Sequence, residues 1–269
     1  MNKYEKLIEK FEREKTPDAF VIDVSKMKIT PMDENFEYQS KNIFSKIFKG
    51  FMRAVIWLFG PITTFFAFKL KVVGRKNLKA IKNTGFLSIC NHISNIDCLC
   101  VIQALRGKKL YLTQANYHYK KNLGSWILRT AYTMPFPNTL SSSKKFNEEL
   151  KLMFKKKKGL QIYAEQGMWP YYKKTRPLKR GAFYYAQKFD VPVVPLFIYF
   201  RELNWWDRFL HRKAKFTIKI FEPQFINKEL PKNEQIDELK TRVENMLNSS
   251  YIEFYGKNDL IDWEKVEQK

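Results

Sequence analysis

The stretch Phe86-Leu87-Ser88-Ile89-Cys90-Asn91-His92-Ile93-Ser94-Asn95-Ile96-Asp97 decides how this chain folds around its chemistry. An apolar run ends in Asn91 and His92, and Asp97 follows five positions after the histidine. Residues five apart on an α-helix lie roughly 140° apart around its axis, so one regular helix would not direct both side chains to one point. The stretch therefore predicts a strand, a tight turn that carries His92, and a helix that begins near Asp97.

Such a turn allows the carboxylate of Asp97 to accept the Nδ1 proton of His92 and to fix the imidazole tautomer. Nε2 is then available to take a proton from a hydroxyl group. The pair predicts a general base that activates a hydroxyl of the substrate itself. For this spacing alone, a histidine satisfied in a structural turn is the more common case, and the residues downstream must decide between the two.

Strand and helix patterns alternate along the rest of the chain. Apolar runs predict strands at 71–74, 86–90, 111–115, 160–164, 191–199 and 216–221. Amphipathic or apolar patterns predict helices at 98–105, 123–132, 182–189 and 236–247. They also predict a helix with Ser143 as its N-cap that ends at Lys155 to Lys158. Alternating elements of this kind predict an α/β fold with a central mixed sheet flanked by helices.

Length and charge narrow the function classes. The 269 residues are enough for one catalytic domain with appendages, and the net charge of +22 indicates an anionic partner. Nucleic acid, anionic lipid headgroups and phosphate-bearing substrates all satisfy that charge. The aromatic content of 16% favours a lipid interface, and no nucleic-acid-binding motif is present, so we expect no nucleic-acid partner.

Residues 42–69 contain the most apolar part of the protein. The 15 residues from Ala54 to Phe68 carry no charge, which is short of the ~20 that span a bilayer, and Gly60-Pro61 interrupts them. Lysines and arginines flank the stretch on both sides. We interpret it as a membrane-associating helical hairpin, two short helices inserted into one leaflet, with a buried helical hairpin as the alternative.

All three cysteines, Cys90, Cys98 and Cys100, lie close to His92. A metal site made of these four residues has to be considered, but zinc sites usually bring two ligand pairs separated by an intervening loop. We therefore predict reduced, mostly buried thiols, no metal and no disulfide, as expected in a reducing compartment.

Three groups of residues, in chain order, resemble the motifs of a known family. Asn91-His92-x4-Asp97 is similar to the first motif of the glycerolipid acyltransferases, the 1-acylglycerol-3-phosphate O-acyltransferase family. Glu165-Gln166-Gly167-Met168-Trp169 resembles the third motif, with Trp169 where the family usually has arginine, and 191–195 resembles the fourth. The second motif has no clear counterpart, although Gly124 to Arg129 and Pro135 to Asn138 lie in its interval.

The resemblance covers about residues 70 to 225 and implies direct acyl transfer. His92, held by Asp97, would deprotonate an acceptor hydroxyl as it attacks the thioester of acyl-CoA or acyl-carrier protein, and no separate cofactor is needed. The expected acceptor is a lysophospholipid, most specifically 1-acyl-sn-glycerol-3-phosphate. The residues expected to bind substrate are Asn91, Glu165, Gly167, Arg176, Lys179 and Arg180.

The organisation implied is a charged segment at 1–41, membrane-associating helices at 42–69, an acyltransferase domain at 70–225 and a helical segment at 226–269. The expected location is the cytoplasmic face of the cell membrane, peripheral or monotopic, against anionic lipids. Two other functions stay open at this point: a basic nucleic-acid-binding protein, and an acyltransferase-like protein that binds lipid without catalysis.

Overall fold

The computed structural model describes residues 3–24, 27, 32, 36, 38, 42–119 and 133–263. Its centre is a seven-stranded sheet with the strand order β1-β7-β6-β2-β5-β3-β4. Neighbouring strands are parallel except β6 and β7, so the sheet is mixed, as expected. The strands are β1 (Lys71–Val73), β2 (Phe86–Ile89), β3 (Leu110–Gln114), β4 (Thr133–Pro135), β5 (Gly159–Ile162), β6 (Val193–Arg201) and β7 (Lys215–Ile220).

Seven α-helices lie within the described ranges. They are α1 (Lys3–Arg13), α2 (Ile43–Phe68), α3 (Asp97–Ala104), α4 (Leu140–Lys155), α5 (Arg180–Phe189), α6 (Trp205–Phe209) and α7 (Gln235–Tyr255). Short 3₁₀ helices cover Arg75–Ile81 and Asn116–His118. The predicted α/β fold is confirmed; the predicted helix at 123–132, with Gly124 to Arg129, lies outside the described residues.

Both faces of the sheet are covered. On one face, Leu87, Ile89 and Phe197 pack with the apolar stripes of α4, α5 and α7. On the other face, Phe86 and Ile218 pack with α3 and the end of α2. Because both faces are covered, successive residues are buried in β2 and β5 and along the first seven positions of β6, with no alternation of buried and exposed side chains.

The start of α4 differs from the sequence prediction. Thr139 caps this helix and accepts a hydrogen bond from the backbone N–H of Ser142, whose side chain in turn accepts one from the backbone N–H of Thr139. Ser143 instead lies within the first turn, where its hydroxyl donates to the carbonyl of Thr139. The helix begins earlier because Thr139 and Ser142 form a reciprocal capping box, which satisfies more hydrogen-bond donors at the start of the helix than a single serine cap does.

The predicted helical hairpin at 42–69 is wrong, because α2 is one continuous helix of 26 residues that passes through Gly60-Pro61. Proline removes only one hydrogen bond of the helix ladder, and packing can maintain the helix across that gap. Gly60 lies so close to the side chain of Gln103 on α3 that a Cβ atom would collide with it, and Thr64 donates to the Gly60 carbonyl. The helix is long and apolar enough to cross a membrane.

An apolar stripe of α1 packs against the domain. Ile8 is buried in a small cluster with Trp169 and Tyr172, and Tyr4 and Phe11 pack around it. The hydroxyl of Tyr172 also donates to the carboxylate of Glu12 at 2.8 Å. The N-terminal helix therefore covers the loop that follows β5.

Candidate active site

His92 and Asp97 meet where β2 ends, at the centre of the sheet. His92 Nδ1 lies 2.8 Å from Asp97 Oδ2, and Asp97 is the first residue of α3. Only 1% of the Asp97 side chain is exposed, whereas 24% of the His92 side chain is. The structure therefore forms the turn that the sequence predicted and leaves the imidazole partly accessible beside a buried carboxylate.

The carboxylate of Asp97 is held by four hydrogen bonds. Its Oδ2 atom also accepts from the backbone N–H groups of Ile93 (2.9 Å) and Ser94 (3.1 Å). Its Oδ1 atom accepts from the hydroxyl of Tyr163 at 2.7 Å. Charge-assisted hydrogen bonds are stronger than neutral ones, so the carboxylate is fixed in orientation and in position.

Tyr163 is a site residue that the motifs did not indicate. Its ring stacks on the imidazole of His92, with ring centroids 4.0 Å apart and an angle of 19° between the planes. Burial, and then the charge of Asp97, raise the pKa of Tyr163 well above its usual value, so its hydroxyl stays a donor. Tyr163 directly follows β5 and opens a turn in which the backbone N–H of Gln166 donates to its carbonyl. No periodic pattern in the sequence therefore indicated this residue.

Asn91 holds β2 to β6. Its side-chain oxygen accepts from the backbone N–H of Ile198 at 2.8 Å, and its side-chain nitrogen donates to the carbonyl of the same residue at 3.1 Å. The side chain continues the hydrogen-bonding ladder one step beyond the last paired residue of β2. Asn91 is buried, so its amide is directed into the protein and away from the exposed side of His92.

Glu165 and Arg176 form a buried ion pair next to the turn. Glu165 Oε2 lies 2.9 Å from Arg176 Nη2 and also accepts from the backbone N–H of His92 at 3.2 Å. Arg176 Nη2 donates to the carbonyl of Gly167 as well, and its guanidinium lies 4.4 Å from the ring centre of Trp169. The pair therefore connects the third-motif segment to the backbone of the turn that carries His92.

The N-terminal segment closes this network from outside. Arg176 Nη1 donates to the carbonyl of Pro17 at 3.1 Å, and the indole N–H of Trp169 donates to the carbonyl of Ala19 at 2.9 Å. Trp169 is fully buried, and its backbone N–H donates to the carbonyl of His92. Arg176, expected to meet an acceptor phosphate, is 3% exposed, and both of its terminal nitrogens donate to protein oxygens.

The other two expected phosphate ligands lie at the surface. Lys179 pairs with Asp18, and Arg180 pairs with Asp237. Both cations are about half exposed, at 45% and 59% of their side chains. The structure thus brings together His92, Asp97, Asn91, Glu165, Gly167 and Arg176, and it leaves Lys179 and Arg180 outside that network.

The three cysteines are free thiols in different surroundings. Cys90 and Cys100 are buried and Cys98 is partly exposed. Burial, followed by the charge of Asp97, raises the pKa of Cys98 to about 12. Among the described residues, no group of three or more His, Cys, Asp and Glu side chains is arranged to hold a metal ion.

A histidine base held by a buried aspartate, at the carboxyl end of a central parallel strand, is an arrangement suited to activating a hydroxyl for group transfer. Comparisons with known proteins agree with that class. The family model described as Acyltransferase matches residues 69–199. An uncharacterised acyltransferase of Schizosaccharomyces pombe is 24% identical over 205 residues, which cover 74% of this chain and 72% of that protein.

The crystal structure of the 1-acyl-sn-glycerophosphate (LPA) acyltransferase PlsC from Thermotoga maritima has the same fold. It superimposes with a TM-score of 0.55 at 20% identity, over 82% of this chain and 86% of that one. The acyltransferase family model thus matches the part of the chain that carries the motifs, and the resemblance drawn from the motifs is confirmed.

Proposed function

We propose that this protein transfers a fatty acyl group from a thioester, acyl-CoA or acyl-carrier protein, to the hydroxyl of a lysophospholipid. The specific acceptor we propose is 1-acyl-sn-glycerol-3-phosphate, with phosphatidic acid as the product. The observation that carries the proposal is the 2.8 Å contact between His92 Nδ1 and Asp97 Oδ2 at the exposed end of β2. The match of residues 69–199 to the acyltransferase family model and the fold shared with a lysophosphatidic acid acyltransferase support it.

In the proposed mechanism His92 is the general base. Asp97 accepts the Nδ1 proton, so Nε2 can take the proton of the acceptor hydroxyl as its oxygen attacks the thioester carbonyl. Collapse of the tetrahedral intermediate breaks the carbon–sulfur bond, and the departing thiolate takes the proton back from the imidazolium of His92. The buried negative charge of Asp97 lies next to that imidazolium and therefore stabilises it.

Four of the predicted site residues act in this proposal by holding the turn. Asn91 fixes the end of β2, and Glu165 fixes the backbone N–H of His92. Arg176 neutralises the buried charge of Glu165, and the carbonyl of Gly167 accepts from Arg176. None of these contacts requires substrate, so we assign all four as positioning residues.

Lys179 and Arg180 are the candidate ligands for the acceptor phosphate. Their present ion pairs with Asp18 and Asp237 are exposed, and exposed pairs contribute only about 0–1 kcal/mol. A dianionic phosphate can therefore displace either carboxylate at small cost. The bidentate guanidinium of Arg180 suits phosphate geometry better than an ammonium group does.

We further propose that α2 attaches the protein to the cytoplasmic face of the cell membrane. Its 26 residues extend over about 39 Å, and large apolar side chains are exposed along it, including Phe44, Phe51, Trp57 and Phe66. Gly60, Thr64 and Phe68 face the domain instead. Because one side of α2 is covered by protein, we expect it to lie in one leaflet with its opposite side in lipid.

The decisive experiment is release of free thiol from acyl-CoA and from acyl-carrier protein by purified protein, with and without 1-acyl-sn-glycerol-3-phosphate. We expect acceptor-dependent release that His92→Gln abolishes. His211→Gln is the matched control, because His211 is exposed and contacts none of the described site residues. Release that His92→Gln leaves intact would remove His92 from the mechanism.

The same preparations separate the alternative functions. Retained vesicle binding with no thiol release from either donor and any lysolipid would favour a lipid-binding protein without catalysis. Salt-sensitive retention on DNA in the presence of detergent, without thiol release, would favour a nucleic-acid-binding protein. Release with a lysolipid other than 1-acyl-sn-glycerol-3-phosphate would keep the reaction and change the acceptor.

A further inference from the structure

The short helix α6, between β6 and β7, exposes an unusual amount of aromatic surface. The exposed fractions are 63% for Trp205, 52% for Trp206, 66% for Phe209 and 60% for Leu210. The two indole rings stack with centroids 3.9 Å apart, and Phe209 makes edge contacts with both. Exposed apolar surface of this size costs free energy in water unless a partner covers it.

The helix is held rigidly from beneath. Asp207 is fully buried and pairs with Lys69 and Lys215 at 2.8 Å each, and with Arg212 at 3.2 Å. Asn204 and Asp207 also form a reciprocal capping box at the start of α6. The aromatic side chains therefore point outward because the polar side of this helix is fixed to the protein.

The same contacts join α6 to the end of α2. Lys69 is the capping residue of α2, and Arg212 donates to the backbone carbonyls of Phe65 and Phe66. Phe65 and Phe66 are 55% and 69% exposed, which continues the apolar surface. We call this surface the aromatic platform; it consists of Phe65, Phe66, Trp205, Trp206, Phe209 and Leu210.

The platform lies at the edge of the sheet where the candidate active site lies. β6 and β2 are parallel, so their carboxyl ends share an edge, and His92 follows β2 as α6 follows β6. β7 runs antiparallel to β6 and begins at the same edge, where Lys215 of β7 lies opposite Arg201 of β6 in the strand register. A flat partner seated on the platform would therefore face the side of the domain that carries His92.

We infer that the aromatic platform is a second membrane contact, which inserts into the headgroup and upper acyl region of an anionic leaflet and orients the active site toward it. Stacked tryptophans beside phenylalanine and leucine match the composition found at membrane interfaces. Arg208 and Lys213 are exposed in the same segment and can meet lipid phosphates, as the net charge of +22 favours. The inference rests on the proposed attachment through α2, because the platform continues that surface.

The test compares vesicle binding of two triple variants of the full chain. The first is Trp205→Ser, Trp206→Ser, Phe209→Ser on the platform. The second is Leu140→Ser, Leu152→Ser, Phe225→Ser, three exposed apolar residues away from it. The probe is sedimentation with vesicles of phosphatidylcholine containing phosphatidylglycerol. We expect the platform variant to partition at least about tenfold more weakly and the control variant to match the wild type.

A second measurement locates the two tryptophans directly. Lipids brominated near the headgroup quench nearby indole fluorescence, and Trp57 on α2 would be quenched as well. The measurement therefore starts from Trp57→Phe, in which adding Trp205→Phe and Trp206→Phe should remove most of the remaining quenching while binding is kept. Equal partitioning of the platform variant, or unchanged quenching, would overturn the inference while leaving attachment through α2 standing. A wild type that binds no vesicles would overturn both. Neither readout depends on thiol release, so the proposed reaction is tested separately.

Discussion

Arg176→Met separates a structural arginine from a phosphate ligand. Arg176 is almost fully buried, and its side chain neutralises Glu165 while donating to two backbone carbonyls, those of Gly167 and Pro17. Replacement would leave the Glu165 charge buried with the backbone N–H of His92 as its remaining described donor. Removing one partner of a buried pair costs about 3–5 kcal/mol. We expect the free energy of unfolding to fall by that amount.

The conservative replacement and the double variant refine the magnitude. Arg176→Lys keeps the charge but loses the planar fork and the stacking on Trp169, and it should cost about 1–3 kcal/mol. Glu165→Gln with Arg176→Met should cost less than the two single changes together, because the orphaned charge is then absent. Urea unfolding in detergent micelles, followed by circular dichroism, gives all of these values.

Arg180→Met is the matched control, since its pair with Asp237 is exposed. Its stability should stay within about 1 kcal/mol of the wild type. The kinetics should show the opposite order: Arg180→Met raises KM for the phosphate-bearing acceptor, and Arg176→Lys lowers kcat with little change in KM. Near-normal stability of Arg176→Met together with a tenfold rise in that KM would refute the assignment of Arg176 as a positioning residue.

Two further predictions concern the surroundings of Asp97. Tyr163→Phe removes the hydrogen bond to Oδ1 of Asp97 but keeps the ring stacked on His92. We expect its kcat to fall about tenfold with KM unchanged, as the loss of one charge-assisted hydrogen bond predicts. Tyr163→Leu also loses the stacking, so its kcat should fall further. A Tyr163→Phe variant with wild-type kcat at every pH would contradict this role. Because burial raises the pKa of Cys98 to about 12, iodoacetamide at pH 8 should alkylate the native thiol about a thousandfold more slowly than that of the urea-unfolded chain. The stability that this raised pKa contributes is present below about pH 8.5 and is lost as the pH rises toward the folded value. Because the thiolate fraction of the native thiol grows over the same range, peptide-level mass spectrometry should show native alkylation increasing up to pH 11. Comparable native and unfolded rates at pH 8 would contradict the raised pKa of Cys98.

The features that the sequence predicted correctly depend on neighbours along the chain. The turn at His92 and Asp97 follows from helix geometry and from the apolar run before it, so a spacing of five residues was enough to predict it. The strands and the stripe of α4 follow from apolar periodicity in the same way. The cap of α4 was missed by four positions because threonine and serine both cap helices and only the folded backbone selects between them.

What the tertiary structure decided is where polar groups find partners from distant parts of the chain. Arg176 forms an ion pair with Glu165 and donates to the carbonyl of Pro17. The hydroxyl of Tyr163, which follows β5, donates to Asp97, which follows the neighbouring strand β2. None of these contacts leaves a periodic signal in the sequence. The continuity of α2 through Pro61 likewise depends on packing against Gln103. A burial-dependent contact is determined by the whole fold, because the cost of leaving a buried charge or donor unpaired arises only once water has been excluded.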